Sequence, residues 1–518
     1  MTINLSQTIR DAKNITDNIT PIADLDSWKR AVKVISRNID KEKVGIVQGP
    51  PGTGKTTIYA NAFSKYFDKV GNGNIIVYVA PTNELVYDMF RKVIMEYVRK
   101  GNTERIPNEV RVYGSRFSQE SDIRSIRNPP DIDTKIVLMT NYQRLYQGDN
   151  ELNYNIMIDE ASKSPIHIPF IGLADQLVKG DLQGSLSIVG DPMQAISLGS
   201  YGGYAKRMLM MTYLLAPMLN HSSRDLDAKA LLAEAKESEI RGKSFEFLET
   251  SLRIPGPSEQ AISMGFYDGD LKAYTSASQR LAEYYDDNIG RYFMSQESES
   301  LKMIAKKIEE LISTDRCMLY ARVQGKSSYS DYSRKYGLTY DQMRSQVGIE
   351  TAIVLSAVTR KHTTVITTYV DQQTQMDLLM RQNYAHLLTK FGLSEQIKFA
   401  TAQSLLGAED DNIVAVLGKE HSSPMSNPND SSTVYFQEPE LLNVQLSRHK
   451  RFVAIIGNLS VLVSQASKQA QTLKSSKFSP LSVTADHLLQ QSGFDKRTSK
   501  YVKTRNSDVS GFIDFGGE

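Results

Sequence analysis

An eight-residue segment near the amino terminus carries the clearest chemical signal. It follows the apolar run VGIVQ, precedes the helical pattern TIYANAFSKYF, and consists of Gly49, Pro50, Pro51, Gly52, Thr53, Gly54, Lys55 and Thr56. Its glycines let consecutive backbone N–H groups point at phosphate oxygens, and the following helix adds its positive end. Lys55 can reach the β- and γ-phosphates, and the Thr56 hydroxyl can ligate Mg²⁺. The segment predicts a site for Mg²⁺ and ATP, with other triphosphates left open; the alternative is a Gly/Pro turn that matches by chance.

Two adjacent carboxylates end another apolar run. The residues YNIMI lead directly into Asp159 and Glu160. Two acids at the end of a buried strand are costly unless a cation or a reaction needs them. We expect Asp159 to hold Mg²⁺, directly or through water, and Glu160 to orient and deprotonate an attacking water. The alternative is an acidic helix cap.

A third apolar run, LSIV, ends in the turn Gly190-Asp191-Pro192, and Gln194 follows it. The Gln194 amide could bond the γ-phosphate or the attacking water and so report on the bound nucleotide. The alternative is an ordinary turn.

These side chains need strands to position them, and short β-rich apolar runs recur along the chain. The runs lie at residues 44–48, 75–80, 135–139, 154–158, 186–189, 318–323, 364–367, 397–401, 413–417 and 452–456. Because they are apolar on both faces and are separated by helical patterns, they predict buried parallel strands. The fold class is therefore α/β, with two doubly wound parallel sheets that divide near residues 235–255.

Composition excludes several classes of protein. The chain has 518 residues, which is too long for one ordinary hydrophobic core. Its residues are 40% hydrophobic and 23% charged, as in ordinary globular proteins. No run of about 18 apolar residues occurs, so no membrane span is expected. A single cysteine, Cys317, cannot form an internal disulfide, which fits a reducing, cytoplasmic setting. The net charge of +2 by itself gives no sign of a nucleic-acid partner. The sequence does not identify protein partners.

With the three motifs in this order, the chain resembles the superfamily 1 helicases. Within them it is similar to the Upf-like branch, the relatives of the nonsense-mediated-decay RNA helicase. The resemblance spans most of residues 25–460, and the later matching segments lie at residues 80–83, 252–255, 266–271, 345–350, 365–372, 407–411 and 443–448.

The resemblance implies two tandem RecA-like domains with small accessory inserts. The first is expected at residues 1–246, with inserts near 87–134 and 198–246, and the second at 247–465. Residues 466–518 are expected as a C-terminal helix and a flexible tail. The resemblance further implies that Arg253 and Arg448 of the second domain stabilise charge on the transferring phosphoryl group, and that Glu409 contacts the nucleotide.

The resemblance also implies a nucleic-acid track across the tops of both sheets. The matching positions are Thr82, Asn83, Thr140 and Thr367. Hydroxyl and amide groups suit contacts to a phosphate backbone that are made and broken repeatedly. For any single threonine after a strand, the alternative is a helix cap.

The nucleotide-base pocket departs from the family pattern. Trp28 stands where the family has a base-reading glutamine, and Leu252 stands where it has a stacking tyrosine. We expect Trp28 to stack on the base without hydrogen-bond readout, so that several triphosphates are hydrolysed. The alternative is that Trp28 packs a helix against the sheet.

The expected function is an NTP-dependent helicase or translocase that moves along single-stranded DNA or RNA, 5′→3′ by analogy. Two alternatives remain. One is a nucleic-acid-binding NTPase that remodels nucleoprotein complexes without processive unwinding. The other is an NTPase or kinase acting on small molecules, which the later motifs disfavour.

Overall fold

The computed structural model describes most of the chain. The described residues are 5–15, 25–37, 44–113, 129–140, 152–161, 184–194, 210–221, 227–281, 284–323, 341–405, 408–418, 438–473, 479–495, 500–501 and 510–515. Parts of the expected inserts and of the 466–518 segment, and Gly407 of the 407–411 motif, lie outside these residues.

The chain divides into two compact units. The first unit comprises Met1–Pro192 and Ile196–Thr250, and the second comprises Met193–Ala195 and Ser251–Glu518.

The first unit is built on a seven-stranded parallel sheet. Its strands are β1 (Val44–Gln48), β2 (Asn74–Ala80), β3 (Val110–Tyr113), β4 (Ile136–Thr140), β5 (Asn153–Ile158), β6 (Leu186–Gly190) and β7 (Phe245–Phe247). Their order is β3-β4-β2-β5-β6-β1-β7, and every neighbouring pair is parallel. Because the strands are parallel, their carboxyl ends share one edge of the sheet, where loops from different strands come together.

Helices cover this sheet because its strands are apolar on both faces. They are α1 (Leu5–Ile15), α2 (Asp26–Arg37), α3 (Lys55–Tyr66), α4 (Asn83–Lys100), α5 (Ile106–Glu109), α6 (Met210–Met218) and α7 (Ala228–Glu237). Helices α2, α3 and α4 bury Ile35, Phe63 and Phe90 in one hydrophobic core with β-strand residues such as Ile76 and Leu138.

The second unit contains a six-stranded parallel sheet. Two short strands, β8 (Thr250–Ser251) and β9 (Lys272–Ala273), pair with each other outside this sheet. The sheet itself contains β10 (Met318–Arg322), β11 (Thr363–Thr367), β12 (Ile397–Thr401), β13 (Asp410–Val416) and β14 (His449–Gly457). A hairpin of β15 (Phe494–Asp495) and β16 (Lys500–Tyr501) precedes β17 (Ser510–Asp514). The six-stranded order is β12-β11-β13-β14-β10-β17.

Ten helices belong to the described part of the second unit. They are α8 (Gln260–Phe266), α9 (Ala277–Leu281), α10 (Asp287–Met294), α11 (Glu299–Ser313), α12 (Gln342–Thr359), α13 (Val370–Asn383), α14 (Ala385–Phe391), α15 (Glu440–Leu446), α16 (Leu459–Leu473) and α17 (Ser479–Gln491). The long helix α12 is almost wholly buried and packs on β13, β11 and β14, which places it at the centre of this unit.

The predicted fold class is confirmed: the chain contains two parallel-sheet α/β domains, and all ten predicted strands are present. The sheets also gain β3, β7 and β17, which the hydrophobic pattern did not mark. Strand β3 carries Arg111, whose two terminal guanidinium nitrogens donate to backbone carbonyls and to Asp131, so most of the cost of burying it is offset locally. Strand β17 comes from the segment in which a flexible tail was expected, and it pairs with β10.

None of the helices that the structure describes combines the length and the apolar character that a membrane crossing requires.

Candidate nucleotide site

The glycine-rich segment connects β1 to α3 at the carboxyl edge of the first sheet. Gly52 and Gly54 have φ angles of 73° and 81°, in the left-handed region that side chains disfavour, and Gly54 is the N-cap of α3. The Gly49 N–H donates to the Gly190 carbonyl at 2.8 Å, which ties the start of the loop to the end of β6. The Thr53 hydroxyl donates to the Pro50 carbonyl at 2.8 Å and closes the turn.

Lys55 lies along this loop. Its ammonium donates to the Gly49 carbonyl at 2.9 Å and lies 3.7 Å from a carboxylate oxygen of Glu160. A Cβ on residue 49 would approach the stem of Lys55, so glycine is required there for the lysine to fold over the loop. The only charged amine of the loop therefore lies beside the second of the two predicted acids.

The carboxylate of Asp159 accepts three hydrogen bonds. The Thr56 hydroxyl donates to Oδ2 at 2.7 Å, and the Tyr78 hydroxyl donates to the same oxygen at 2.8 Å. The Glu160 N–H donates to Oδ1 at 2.8 Å. These bonds bring Thr56 and Asp159 together although 103 positions separate them in the chain.

Electrostatics make this pair of acids unusual. Burial raises the pKa of the Asp159 carboxyl above its ordinary value, and the neighbouring Glu160 carboxylate raises it further. Hydrogen bonds from Thr56 and Tyr78 and the charge of Lys55 oppose that rise. Glu160 also has a φ of 49°, a backbone conformation that is uncommon outside glycine. Buried adjacent carboxylates in this setting favour a cation beside them.

The donor set fits Mg²⁺. The Thr56 hydroxyl and the Asp159 carboxylate are hard oxygen ligands, and Mg²⁺ is commonly bound through one or two such groups together with substrate phosphates and water. Within the described ranges, no group of three or more His, Cys, Asp or Glu side chains could hold a metal by itself. A site completed by phosphate oxygens does not need such a group.

Sequence reasoning missed two tyrosines behind the site. Tyr78 lies on β2 and Tyr59 on α3, and their rings meet edge to face at 5.9 Å. Burial keeps the pKa of both hydroxyls well above the ordinary value, so both remain donors. The sequence did hold one signal, which is a hydroxyl in the middle of the aliphatic strand NIIVYVA.

In the second unit, Arg253 and Glu409 form an ion pair. Arg253 Nε lies 2.6 Å from Glu409 Oε2, and Lys450 Nζ lies 2.6 Å from Glu409 Oε1. Burial raises the pKa of Glu409, but the charges of Arg253 and Lys450 outweigh burial and hold it below its ordinary value. The structure thus pairs an arginine and a glutamate that the sequence had assigned separately to the nucleotide.

Arg448 and Gln194 also meet within the second unit. Arg448 is 2% exposed, and its Nη2 donates to Gln194 Oε1 at 3.1 Å. The Asn443 amide donates to the Met193 carbonyl at 2.7 Å and to the Tyr267 hydroxyl at 2.8 Å. These bonds fix the segment that carries Gln194.

A buried histidine next to Arg448 was not predicted. His449 Nε2 lies 2.7 Å from the Ser258 hydroxyl. Burial lowers the pKa of His449 to about 3, and the charge of Arg253 adds to that shift, so this imidazole is neutral near pH 7.

Three predicted nucleic-acid contacts lie at one edge of the first sheet. Thr82 and Asn83 follow β2, and Thr140 ends the adjacent strand β4, where it pairs in register with Ala80. Thr82 is exposed and also caps α4, accepting a hydrogen bond from the Leu85 N–H at 3.4 Å. The Asn83 amide oxygen is buried without a hydrogen-bond partner in the described structure, whereas Thr140 is itself buried.

Thr367 ends β11 of the second sheet. It is fully buried, and its hydroxyl donates to the Tyr369 carbonyl at 3.0 Å. A contact to nucleic acid would therefore require the hydroxyl to leave this bond.

Trp28 lies on α2, directly before β1 in the chain. It is 5% exposed and belongs to the hydrophobic core of the first unit. Its Nε1 has no hydrogen-bond partner in the part of the chain that the structure describes.

Two family models match the chain. Residues 230–460 match an AAA domain, and residues 14–166 match the type III restriction enzyme, res subunit. Two viral proteins match over a short segment: the replicase polyproteins 1ab of Berne virus and Breda virus 1, at 50% and 52% identity over 52 residues. That segment is 10% of this chain and 1% of each polyprotein.

Two solved structures that align with the chain are distant in sequence. An arterivirus nonstructural protein 10 (helicase) with DNA is 12% identical, has a TM-score of 0.36, and aligns over 83% of this chain and 62% of its own. Dbp5 of S. cerevisiae, bound to RNA and ADP BeF3, is 11% identical with a TM-score of 0.41, and aligns over 98% and 93%. At these values the likenesses add nothing on activity.

Proposed function

We propose that the chain is an NTP-dependent nucleic-acid helicase of superfamily 1 that moves 5′→3′ along a single strand while it hydrolyses ATP. The observation that carries the proposal is one cluster in the first unit. The Thr56 hydroxyl lies 2.7 Å from Asp159, and the Lys55 ammonium lies 3.7 Å from Glu160. Phosphoryl transfer uses this combination of a cation, a hydroxyl and two carboxylates. The direction, and membership of the Upf-like branch, are inferred from the resemblance alone.

Each group in the cluster has an assigned task. Thr56 and Asp159 would hold Mg²⁺, which neutralises charge on the β- and γ-phosphates when it is bound. Lys55 and the backbone N–H groups of residues 49–54 bind and orient the phosphates. Glu160 orients the attacking water and accepts its proton.

Residues of the second unit are assigned by the resemblance. Arg448 and Arg253 supply fixed positive charge to the transferring phosphoryl group, and Gln194 senses the γ-phosphate. The hydrogen bond of 3.1 Å between Arg448 and Gln194 supports a shared role for them. Glu409 contacts the nucleotide in this proposal, and in the structure it holds Arg253 at 2.6 Å.

We assign the track to Thr82, Asn83, Thr140 and Thr367. The position of the first three at one carboxyl edge of the sheet supports this assignment, because a bound strand can cross such an edge. Either DNA or RNA can serve as the bound strand in this proposal, because contacts to the phosphate backbone distinguish the two polymers poorly. A reducing, cytoplasmic setting is part of the proposal, in keeping with the single cysteine.

Trp28 is proposed to stack on the base. Its indole offers one donor and no acceptor in place of the donor and acceptor of the family glutamine, so we expect comparable kcat/KM values for ATP, GTP and CTP. A hundredfold preference for ATP would contradict the proposal.

The first experiment measures steady-state ATP hydrolysis with and without single-stranded DNA or RNA. We expect stimulation of severalfold or more, and we expect Glu160→Gln to abolish turnover because it removes the proton acceptor. The matched control is Glu109→Gln, which changes another buried glutamate of the same unit, bonded to Tyr97 rather than to the site.

Movement is tested with a strand that carries a streptavidin block at either end. Displacement at the 3′ end alone supports 5′→3′ translocation, and displacement at the 5′ end alone contradicts it. Stimulated hydrolysis without displacement at either end would instead favour remodelling of nucleoprotein complexes. Vigorous hydrolysis without stimulation would contradict the motor.

A further inference from the structure

Tyr78 contacts the carboxylate that the proposed function assigns to Mg²⁺. Its hydroxyl donates to Asp159 Oδ2 at 2.8 Å, on the same oxygen that accepts from Thr56. The other oxygen accepts from the Glu160 N–H. Oδ1 thus accepts one hydrogen bond and Oδ2 accepts two, and together these bonds fix the plane of the carboxylate.

Burial makes the bond from Tyr78 consequential. Tyr78 is 0% exposed and Asp159 is 1% exposed, so water has little access to replace a missing hydroxyl. Hydrogen bonds to a charged acceptor are stronger than neutral ones, and a low local dielectric strengthens them further. The ring of Tyr78 is held by the edge contact with Tyr59, which fixes the position of its hydroxyl.

The strand order creates this contact. Strand β2 lies next to β5, and Tyr78 pairs in register with Met157, two positions before Asp159. The Asp159 N–H donates to the Val79 carbonyl at 2.8 Å, which continues the pairing to the site. The tyrosine is thus presented by the strand that adjoins the acid.

We propose that Tyr78 is a positioning residue for the divalent cation: its hydroxyl holds the Asp159 carboxylate in the orientation that binds Mg²⁺ and so sets the affinity of the site. The inference rests on the proposed role of Asp159. Groups that orient a metal-binding carboxylate from outside the ligand set commonly contribute 10- to 100-fold in affinity.

Tyr59 provides a matched control. Its hydroxyl is equally buried, but it donates to the backbone carbonyls of Ile158 and Ser187, each at 2.9 Å, and has no bond to Asp159. Replacement by phenylalanine removes one buried hydroxyl in either case and keeps the ring. The two variants therefore differ in whether the carboxylate loses a donor.

The experiment uses the full chain with Tyr78→Phe, Tyr59→Phe and Asp159→Asn. Binding of Mn²⁺ in the presence of ADP is measured by electron paramagnetic resonance, and ATP hydrolysis is measured across a range of Mg²⁺ concentrations. For Tyr78→Phe we expect the Mn²⁺ Kd and the half-saturating Mg²⁺ concentration to rise by about tenfold or more, with kcat at saturating Mg²⁺ within about threefold of wild type. Tyr59→Phe should change neither constant.

The alternatives give different results. If Tyr78→Phe binds Mn²⁺ within twofold of wild type while Asp159→Asn does not bind it, the inference is wrong and the proposed metal site stands. If Asp159→Asn binds Mn²⁺ normally, the proposed metal role fails and the inference with it. If Tyr78→Phe lowers kcat equally at every Mg²⁺ concentration and lowers the Tm as Tyr59→Phe does, the hydroxyl is merely structural and the inference is overturned.

Discussion

Gly49→Ala is expected to disable the site without unfolding it. A Cβ at this position would lie 2.7 Å from Lys55 Cδ and closer still to Cγ, whereas ordinary contacts begin at 3.4 Å. The stem of Lys55 therefore has to move by about 1 Å, and a displacement of this size can cost about 100-fold in rate. That factor corresponds to about 2.7 kcal/mol of lost transition-state stabilisation. Because Gly49 is outside the left-handed region, the alanine adds little backbone strain.

The assay compares kcat/KM for stimulated ATP hydrolysis with the Tm of the same variant. Gly101→Ala is the control, because Gly101 has a φ of +70° and a Cβ there would meet no atom within 4 Å. We expect that control to lose about 1 kcal/mol of stability, from the left-handed backbone, with unchanged turnover. Turnover of Gly49→Ala within threefold of wild type would refute the reasoning about Lys55.

Three further predictions concern the second unit. In His449→Gln the acid loss of stability should be shallower, because the wild-type imidazole has a pKa of about 3 when folded and its ordinary pKa of 6.5 when unfolded. Between these two pH values, urea denaturation should show the wild type losing about 1.4 kcal/mol more per pH unit than the variant. Equal slopes for both proteins would count against this. The lowered pKa of Glu409 means that its carboxylate stabilises the fold above pH 4.5 and less as pH falls through the folded value. Glu409→Gln should therefore lower the Tm at pH 7 and flatten its acid dependence, and an unchanged Tm would contradict the ion pair. Gly265→Ala should cost about 1–3 kcal/mol in urea denaturation, because its Cβ would lie 2.8 Å from the Pro480 carbonyl and closer still to Thr484; wild-type stability would contradict the packing of α17 on α8.

The parallel sheets could be predicted because their signal is local. An apolar run such as NIIVYVA or LSIVG is buried on both faces of the sheet. Its composition alone indicates that other elements must pack against each face of the strand. Strands β3 and β17 escaped prediction for the opposite reason. Arg111 interrupts the first, and the second begins with Ser510 and Gly511 and ends with Asp514, so pairing with a neighbour decides their conformation.

The candidate site divides in the same way. Gly49, Lys55 and Thr56 lie in one short segment of the chain, so the sequence alone places them together. The left-handed backbone between them is expected because glycine tolerates positive φ angles. Nothing in the sequence joins Tyr78 to Asp159, because the pairing of β2 with β5 depends on the order of strands in the sheet rather than on their order in the chain.

The sequence by itself therefore determined the candidate groups and their order: a glycine-rich loop that ends in a lysine and a threonine, two acids after a strand, and strands that are parallel and buried. Only the tertiary structure decided which side chains meet, such as Tyr78 with Asp159 and Arg253 with Glu409. The physical reason is that backbone preferences act over a few residues, whereas the partner of a buried polar group is set by strand order and helix packing over the whole unit. A buried carboxylate such as Asp159 is stable only when that arrangement delivers its donors.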